Sequence, residues 1–211
     1  MPGERLIELR ISKLLKMGRT PLREAFLRLA AEGLVEGVPG VGFFVKNMTL
    51  TDLDELFQIR AALECLAVRL AMQRGFSEIS LTMMRQTCAR LRDALVAGDF
   101  RAANNADLEF HRELIGLANS RRLETAIQGS HVQMLSWEFQ RQGVMNVQDE
   151  QDVVGEHLQI LAAMERRDVD ETTRLLNNHI TVAFQKGIKA AVEQKAVDVV
   201  LNASIPIGDL T

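Results

Sequence analysis

The chain contains 211 residues with 25 Lys and Arg, 28 Asp and Glu, and a formal charge of −3 at pH 7. No run of about 18 apolar residues is present, and the first residues lack the basic-then-apolar order of a signal peptide, so we expect a cytoplasmic chain with no membrane span. The 2 cysteines have no paired ligand spacing, which argues against a disulfide framework or a cysteine-based metal site and predicts reduced packing residues.

Charge is distributed unevenly along the chain. Residues 1–46 carry eight Lys and Arg against five Asp and Glu, whereas residues 47–211 carry 17 against 23. A basic segment joined to an acidic remainder is expected of a small DNA-binding unit attached to a second domain. The length is sufficient for two modest domains, each with its own core.

Two short helices are predicted near the start of the chain. Apolar residues at three- to four-residue spacing over residues 9–16 predict the first helix. The second begins at Arg19, with Gly18 as its N-cap. Arg19 and Arg23 lie four apart on one face, and with Thr20 they offer guanidinium and hydroxyl groups suited to a DNA major groove. The alternative is a solvated basic helix without a DNA contact.

A β-hairpin is predicted directly after these helices. Residues 34–36 and 43–45 are β-prone and flank a turn rich in Gly and Pro. Helix, helix and hairpin, in this order, are typical of a winged helix-turn-helix.

Three segments together resemble the DNA-binding domain of GntR-family bacterial transcription regulators: residues 2–6 (PGERL), 19–25 (RTPLREA) and 31–35 (AEGLV). The resemblance implies four DNA-contacting residues, namely Arg19, Thr20 and Arg23 on the recognition helix and Gly40 at the wing tip. Family members usually carry another helix before the first of these segments. We therefore expect residues 1–47 to form a winged domain that lacks its first helix and is less firmly held.

Six helices are predicted in the remainder of the chain from their caps, apolar spacing and glycine stops. They are expected at about residues 52–74, 79–97, 100–118, 122–141, 149–167 and 171–196. In the first of them, the expected buried stripe is Leu53, Leu56, Ile59, Leu63, Leu66 and Leu70. The predicted fold class is mainly α: the winged domain, an all-α antiparallel helical bundle over residues 48–196, and a loose tail over residues 197–211.

The four histidines of the chain all lie in this helical part, at His111, His131, His157 and His179. Asp107 and His111 are four apart and share one helix face, while His157 and His179 come from two later helices and can converge on them in a bundle core. An Asp oxygen with three imidazole nitrogens suits zinc, nickel, manganese or iron. The alternative is that each histidine is a partly exposed or hydrogen-bonded helix residue.

Residues 57–64 (FQIRAALE) resemble the start of the FCD effector domain found in the FadR-like subfamily of GntR regulators. Three later segments match the ligand motifs of that domain: residues 107–111 (DLEFH), 156–160 (EHLQI) and 177–180 (NNHI). The resemblance implies a divalent metal, zinc before nickel, manganese or iron, bound by Asp107, His111, His157 and His179. It also implies that a small carboxylic acid completes the coordination.

Two further residues are candidates for binding the effector. The first effector-domain helix borders the ligand cavity in this family, so the resemblance makes Arg60 a candidate carboxylate clamp. Its alternative is a helix-surface salt bridge with Glu64, four residues on. His131 matches no ligand position, and it is either a residue that lines the cavity or an ordinary exposed or hydrogen-bonded helix residue.

The sequence as a whole predicts a ligand-responsive DNA-binding transcription regulator, a repressor and not an enzyme. Its expected partners are operator DNA, a small carboxylate metabolite and a second copy of the chain in a homodimer, with no membrane. Two alternatives stay open: a ligand-binding dimer that has lost DNA binding, and a metal-dependent enzyme acting on small acids. The enzyme would need a general base beside the metal, and the sequence contains no His-Glu-x-x-His motif to supply one.

Overall fold

The computed structural model describes residues 3–140 and 147–203, and the side chains of residues 3–130, 152–186 and 188 within them. These residues contain eight helices and three strands. In chain order they are β1 (Arg5–Leu6), α1 (Glu8–Leu15), α2 (Arg19–Ala31), β2 (Val35–Val38), β3 (Gly42–Val45), α3 (Leu50–Arg74), α4 (Glu78–Ala97), α5 (Phe100–Gly116), α6 (Arg121–Gln140), α7 (Val147–Glu165) and α8 (Val169–Ala203). The predicted winged helix-turn-helix followed by a helical bundle is confirmed.

The head, residues 5–45, is built on a small antiparallel sheet with the strand order β1-β3-β2. β2 and β3 form the predicted hairpin. β1 was not predicted, and its two residues pair with Phe43 and Phe44 of β3. Gly18 is the N-cap of α2, as expected, with extended backbone (φ −65°, ψ 160°) and no side chain to accept a hydrogen bond.

A compact apolar cluster fixes α2 against this sheet. Leu22 and Phe26 project from the buried face of α2 and meet Val35 and Phe43 of the sheet. The rings of Phe26 and Phe43 pack in a tilted arrangement with their centroids 5.2 Å apart. Because this face is buried, the opposite face of α2 is left to solvent.

The helical body, α3 to α8, is a bundle in which α3 packs mainly against α8, and α4 against α5 and α7. Apolar side chains from all six helices form its core, among them Leu56, Val68, Met84, Phe110, Leu114, Ile127, Leu161 and Leu176. Among the described residues, no helix combines the length and apolar character that a membrane span requires.

The start of α3 is fixed by a reciprocal cap at Thr49. The hydroxyl of Thr49 accepts a hydrogen bond from the Asp52 amide at 3.1 Å, and the Asp52 carboxylate accepts one from the Thr49 amide at 2.8 Å. Lys46 lies 3.4 Å from the same carboxylate. These contacts lower the pKa of Asp52, chiefly through the hydrogen bonds from Thr49. A cap of this kind stabilises a helix by about 1 kcal/mol.

The buried face of α3 differs from the predicted stripe. Ile59 and Leu66 are exposed to 51% and 44%, and the positions that point inward instead include Phe57, Arg60 and Glu64. The prediction counted apolar residues only, whereas the interior accepts an ion pair because its two members neutralise each other. This rotation of the helix brings two charged side chains into the centre of the bundle.

The other helix boundaries lie within a few residues of those predicted, with one exception. Asn119 has left-handed backbone (φ 46°) after α5, as expected of a helix end. α8, by contrast, continues past residue 196 to Ala203, where a loose tail was expected. The rest of the predicted tail, residues 204–211, lies outside the described residues.

Both cysteines are free, as the sequence predicted. Burial raises the pKa of Cys88 to about 11, and the charge of Glu113 adds to the effect. Burial also raises the pKa of Cys65, whose thiol lies 3.6 Å from the Thr173 carbonyl. Both side chains are therefore kept as thiols in the bundle and serve its packing.

Candidate metal centre and DNA-contacting surface

The structure brings four of the predicted site residues together inside the body. Asp107 and His111 project from α5, His157 from α7 and His179 from α8. One ligand atom of each residue can be chosen so that all four lie within 4.8 Å of one another. The three imidazoles are buried, while the Asp107 side chain is 22% exposed. Asp107 is therefore the most exposed of the four residues.

The distances within the cluster fit a single small divalent cation. Nε2 of His179 lies 3.2 Å from Nε2 of His111 and 3.2 Å from Nε2 of His157. The Asp107 oxygens lie 3.4 Å from Nε2 of His157 and 4.0 Å from Nε2 of His111. Ligand atoms bound at about 2.0–2.2 Å to one ion stand about 3–3.5 Å from each other. The cluster needs little adjustment to reach that spacing.

Two carboxylates contact His111 and His179 at Nδ1, the ring nitrogen that is not part of the cluster. Nδ1 of His111 lies 2.6 Å from Oε2 of Glu64, and Nδ1 of His179 lies 2.7 Å from Oε2 of Glu156. A carboxylate can only accept, so each Nδ1 is the protonated donor. In the neutral imidazoles, the Nε2 lone pairs of His111 and His179 then face each other across 3.2 Å. A cation bound to both nitrogens would remove the repulsion between these two lone pairs. The residues therefore fit a metal ion.

Burial also lowers the pKa of two of the imidazoles and so favours their neutral form. It lowers the pKa of His111, and the positive charge of Arg60 adds to this effect. Burial lowers the pKa of His157 well below its usual value, with the neighbouring His179 and His111 as further causes. His111 and His157 are therefore neutral near pH 7, which is the form that binds a metal ion.

The third imidazole, His157, is held differently from the other two. Its ring stacks on Phe110 with centroids 3.8 Å apart and planes 11° from parallel. Its Nδ1 is buried and has no hydrogen-bond partner in the described part of the chain. This ring is therefore oriented by stacking on Phe110 and by the contacts of its Nε2 with His179 and Asp107.

Glu64 is itself held by a buried charge. Nε of Arg60 donates to Oε1 of Glu64 at 2.6 Å, and the two side chains are 2% and 0% exposed. The predicted alternative of a salt bridge between these two residues is thus present, but in the interior and not on the helix surface. Arg60, Glu64 and His111 form a continuous chain of contacts that ends at the candidate centre. His131 lies on α6, but its side chain is outside those described.

Sequence reasoning did not assign Glu64 or Glu156 to the centre. A signal for Glu64 was present, because it lies four residues from an opposite charge on the helix face that also carries Leu53 and Phe57. No such signal exists for Glu156. It precedes His157 in the chain, but its carboxylate contacts His179 on the next helix, a pairing that only the packing of α7 on α8 creates.

The head presents the predicted DNA-contacting residues to solvent. Arg19, Thr20 and Arg23 are all exposed at the N-terminal end of α2. Gly40 is exposed in the turn between β2 and β3 and has a positive φ of 74°, a conformation that favours glycine. The Arg5 guanidinium donates to the Val41 carbonyl and braces this turn from β1.

Comparisons with known proteins agree with this architecture. Residues 1–45 match the family model "Bacterial regulatory proteins, gntR family", and residues 55–182 match the FCD domain. The chain is 32% identical over 194 residues to the Nta operon transcriptional regulator of Aminobacter aminovorans, covering 88% of this chain and 85% of the relative. It is 26% identical to the HTH-type transcriptional repressor RspR of Escherichia coli, covering 85% and 77%.

A solved structure supports the same assignment. E. coli McbR/YncC superposes with a TM-score of 0.79 at 26% identity, covering 92% of this chain and 89% of that one. The names of these relatives indicate a transcription regulator, not an enzyme. The chain belongs to the GntR family of bacterial regulatory proteins, with an FCD domain as its helical body, and is a DNA-binding transcription regulator.

Proposed function

We propose that this regulator is a repressor whose helical body binds one divalent metal ion and, through it, a small carboxylic acid. The ligands are Asp107, His111, His157 and His179. The observation that carries the proposal is the convergence of their four ligand atoms, together with the carboxylates that direct two imidazoles inward. A repressor role is supported by relatives that are named repressors.

The donor set favours zinc, with nickel, manganese or iron as alternatives. Three imidazoles and one carboxylate match zinc chemistry, and the same nitrogen and oxygen ligands accept the other three metals. When bound, the ion supplies an electrophilic position at which a carboxylate oxygen can coordinate. Asp107 is the most exposed of the four ligands, so the acid would enter past its side chain.

Arg60 is a buried cation near the centre. Its side chain is almost fully buried, its charge acts on both His111 and His157, and it is paired with the Glu64 carboxylate. Arg60 stays a predicted carboxylate clamp, in addition to its contact with Glu64, because a guanidinium binds carboxylates through several donors. His131 stays a predicted lining residue of the same cavity.

Binding of the acid would alter operator affinity through the body of a homodimer. Two heads, each presenting Arg19, Thr20, Arg23 and Gly40, would contact the half-sites of a near-palindromic operator in the cytoplasm. A ligand that shifts helix positions changes the spacing of the heads, and a typical coupling of this kind changes affinity about 5- to 150-fold.

Direct titration tests the proposal. The purified chain is used to select its operator from random DNA, and the metal-free chain is then loaded with Co²⁺ as a coloured substitute for zinc. Acetate, lactate and citrate are expected to change the visible spectrum, because a carboxylate oxygen enters the coordination sphere. The effective acid is also expected to change operator affinity about fivefold or more in fluorescence anisotropy. The corresponding amides serve as controls. A spectrum and an affinity that no acid of a broader panel alters would contradict acid sensing.

The surface of α3 supports the expected homodimer. Ile59, Ala62 and Leu66 are exposed and follow one another at three- and four-residue spacing. Ala62 also lines an open groove of about 560 Å³ between α3 and α8, whose walls include Phe57 and Phe184. Exposed apolar stripes of this kind are typical of surfaces that a partner covers.

Replacing Ile59 and Leu66 together by glutamate is expected to give a monomer. Like charges on both copies would oppose each other at an isologous interface. Sedimentation should show the mass fall from twice 23.6 kDa to 23.6 kDa. The matched control replaces Ile79 and Val96 of α4, which are 72% and 80% exposed, and should remain dimeric. A dimeric Ile59/Leu66 variant would place the interface elsewhere.

A further inference from the structure

We infer that Glu64 and Glu156 are positioning residues of the metal centre. Each would fix the orientation and tautomer of one histidine before a metal arrives, so that Nε2 is presented as a free donor. The inference rests on the proposed metal binding and adds residues outside the coordinating set. Glu64 acts on His111 and Glu156 acts on His179, whereas neither contacts Nδ1 of His157.

The geometry at Glu64 supports this role most directly. Its carboxylate is fully buried, accepts from Nε of Arg60 through Oε1, and meets Nδ1 of His111 through Oε2 at 2.6 Å. An acidic side chain is rarely placed in a bundle interior unless paired and hydrogen-bonded. Here both oxygens are occupied by donors, and one of these donors is the ring of a metal-binding residue. Arg60 thus also orients Glu64.

Glu156 makes the equivalent contact from another helix. Its Oε2 lies 2.7 Å from Nδ1 of His179, and its side chain is 24% exposed. This contact connects α7 to α8, whereas the contact of Glu64 connects α3 to α5. The two carboxylates therefore approach the centre from different sides and act on different rings.

The chemistry of the two side chains explains why glutamate is required. A carboxylate only accepts, so it permits the tautomer with Nδ1 protonated and Nε2 free. The amide of glutamine has nearly the same shape but can also donate, and it then stabilises the opposite tautomer with Nε2 protonated. A glutamate-to-glutamine change consequently removes the preference for one tautomer with little change in volume. Loss of such partners typically weakens metal binding 10- to 100-fold.

His157 provides an internal comparison within the same centre. Its Nδ1 has no partner among the described residues, and its ring is oriented by Phe110. Neither glutamate therefore fixes this ring directly. Its Nε2 lies 3.2 Å from Nε2 of His179, so its tautomer is expected to change only when the proton on His179 moves.

The test uses the full chain in two states. In the metal-free chain at about pH 8, where imidazoles are neutral, long-range ¹H–¹⁵N correlation spectra identify the tautomer of each histidine. In the loaded state, Zn²⁺ affinity is measured by competition with a chelator of known affinity. Glu156→Gln is expected to populate the Nε2-protonated form of His179 and to weaken zinc binding about 10- to 100-fold. Glu165→Gln, on the same helix but paired with Arg85 on the surface, is the matched control.

Glu64 needs a second variant because its removal leaves a charge in the interior. Glu64→Gln is expected to show the same tautomer change at His111, and the double variant Arg60→Gln/Glu64→Gln removes both charges together if the single variant does not fold. Unchanged tautomers and zinc affinity in these variants, with wild-type zinc binding intact, would overturn the inference alone. A wild-type chain that binds no Zn²⁺ would instead overturn the proposed function.

Discussion

Exchange of His157 and His179 for alanine is expected to abolish metal binding by the purified chain. The change removes two of four ligands, and both lost nitrogens lie within 3.2 Å of each other at the centre of the cluster. A site left with Asp107 and His111 alone has too few donors for stable zinc coordination. Elemental analysis should fall from about one metal ion per chain to the background level.

The matched control for this variant exchanges Gln159 and Asn178 for alanine. These residues are exposed neighbours on the same two helices, α7 and α8. The control should keep its metal, which separates loss of ligands from disturbance of the helices. Full metal content in the His157/His179 variant would exclude the proposed centre, whatever the operator assays show.

Exchange of Arg19 and Arg23 for alanine is expected to remove specific operator binding. Each arginine that contacts a base edge contributes roughly 1–3 kcal/mol, so two of them account for a loss of about 30-fold or more. If one contacts phosphate instead, the dependence of affinity on salt should become shallower by about one unit for that residue. Fluorescence anisotropy over a series of salt concentrations measures both effects.

Arg28 provides the control on the same helix. It is exposed on α2 but lies about half a turn around the helix from Arg19, so it cannot reach the same surface. Arg28→Ala should bind the operator nearly as well as the unchanged chain. Equal losses for Arg28 and for the Arg19/Arg23 pair would indicate a general effect of charge and would contradict recognition by the N-terminal end of α2.

The sequence was most informative where a local signal determines structure. The cap at Thr49, the glycine before α2 and the Gly/Pro-rich turn of the wing each depend on residues within four positions of one another. The four-residue spacing of Asp107 and His111 likewise placed both side chains on one face of α5. That the two later histidines join them followed from the family resemblance, because spacing within one helix does not determine how helices pack.

Features that depend on tertiary packing were missed or misplaced. The face of α3 was predicted from leucine and isoleucine positions, yet the interior selects Arg60 and Glu64 because each neutralises the other and Glu64 meets His111. β1 is two residues long, too short for alternation to predict it. Glu156 was overlooked because its partner lies 23 residues away on another helix.

α3 connects the candidate centre to the head. Four residues separate the end of the wing strand from the start of this helix, whose first turn is closed by the Thr49 cap. Glu64 extends from the same helix to His111. At 1.5 Å per residue, Glu64 stands about 20 Å from the start of α3. A tilt of about 5° around Glu64 would therefore move the start of the helix by about 2 Å. α3 would thereby convert a small change at the candidate centre into a larger displacement at the head.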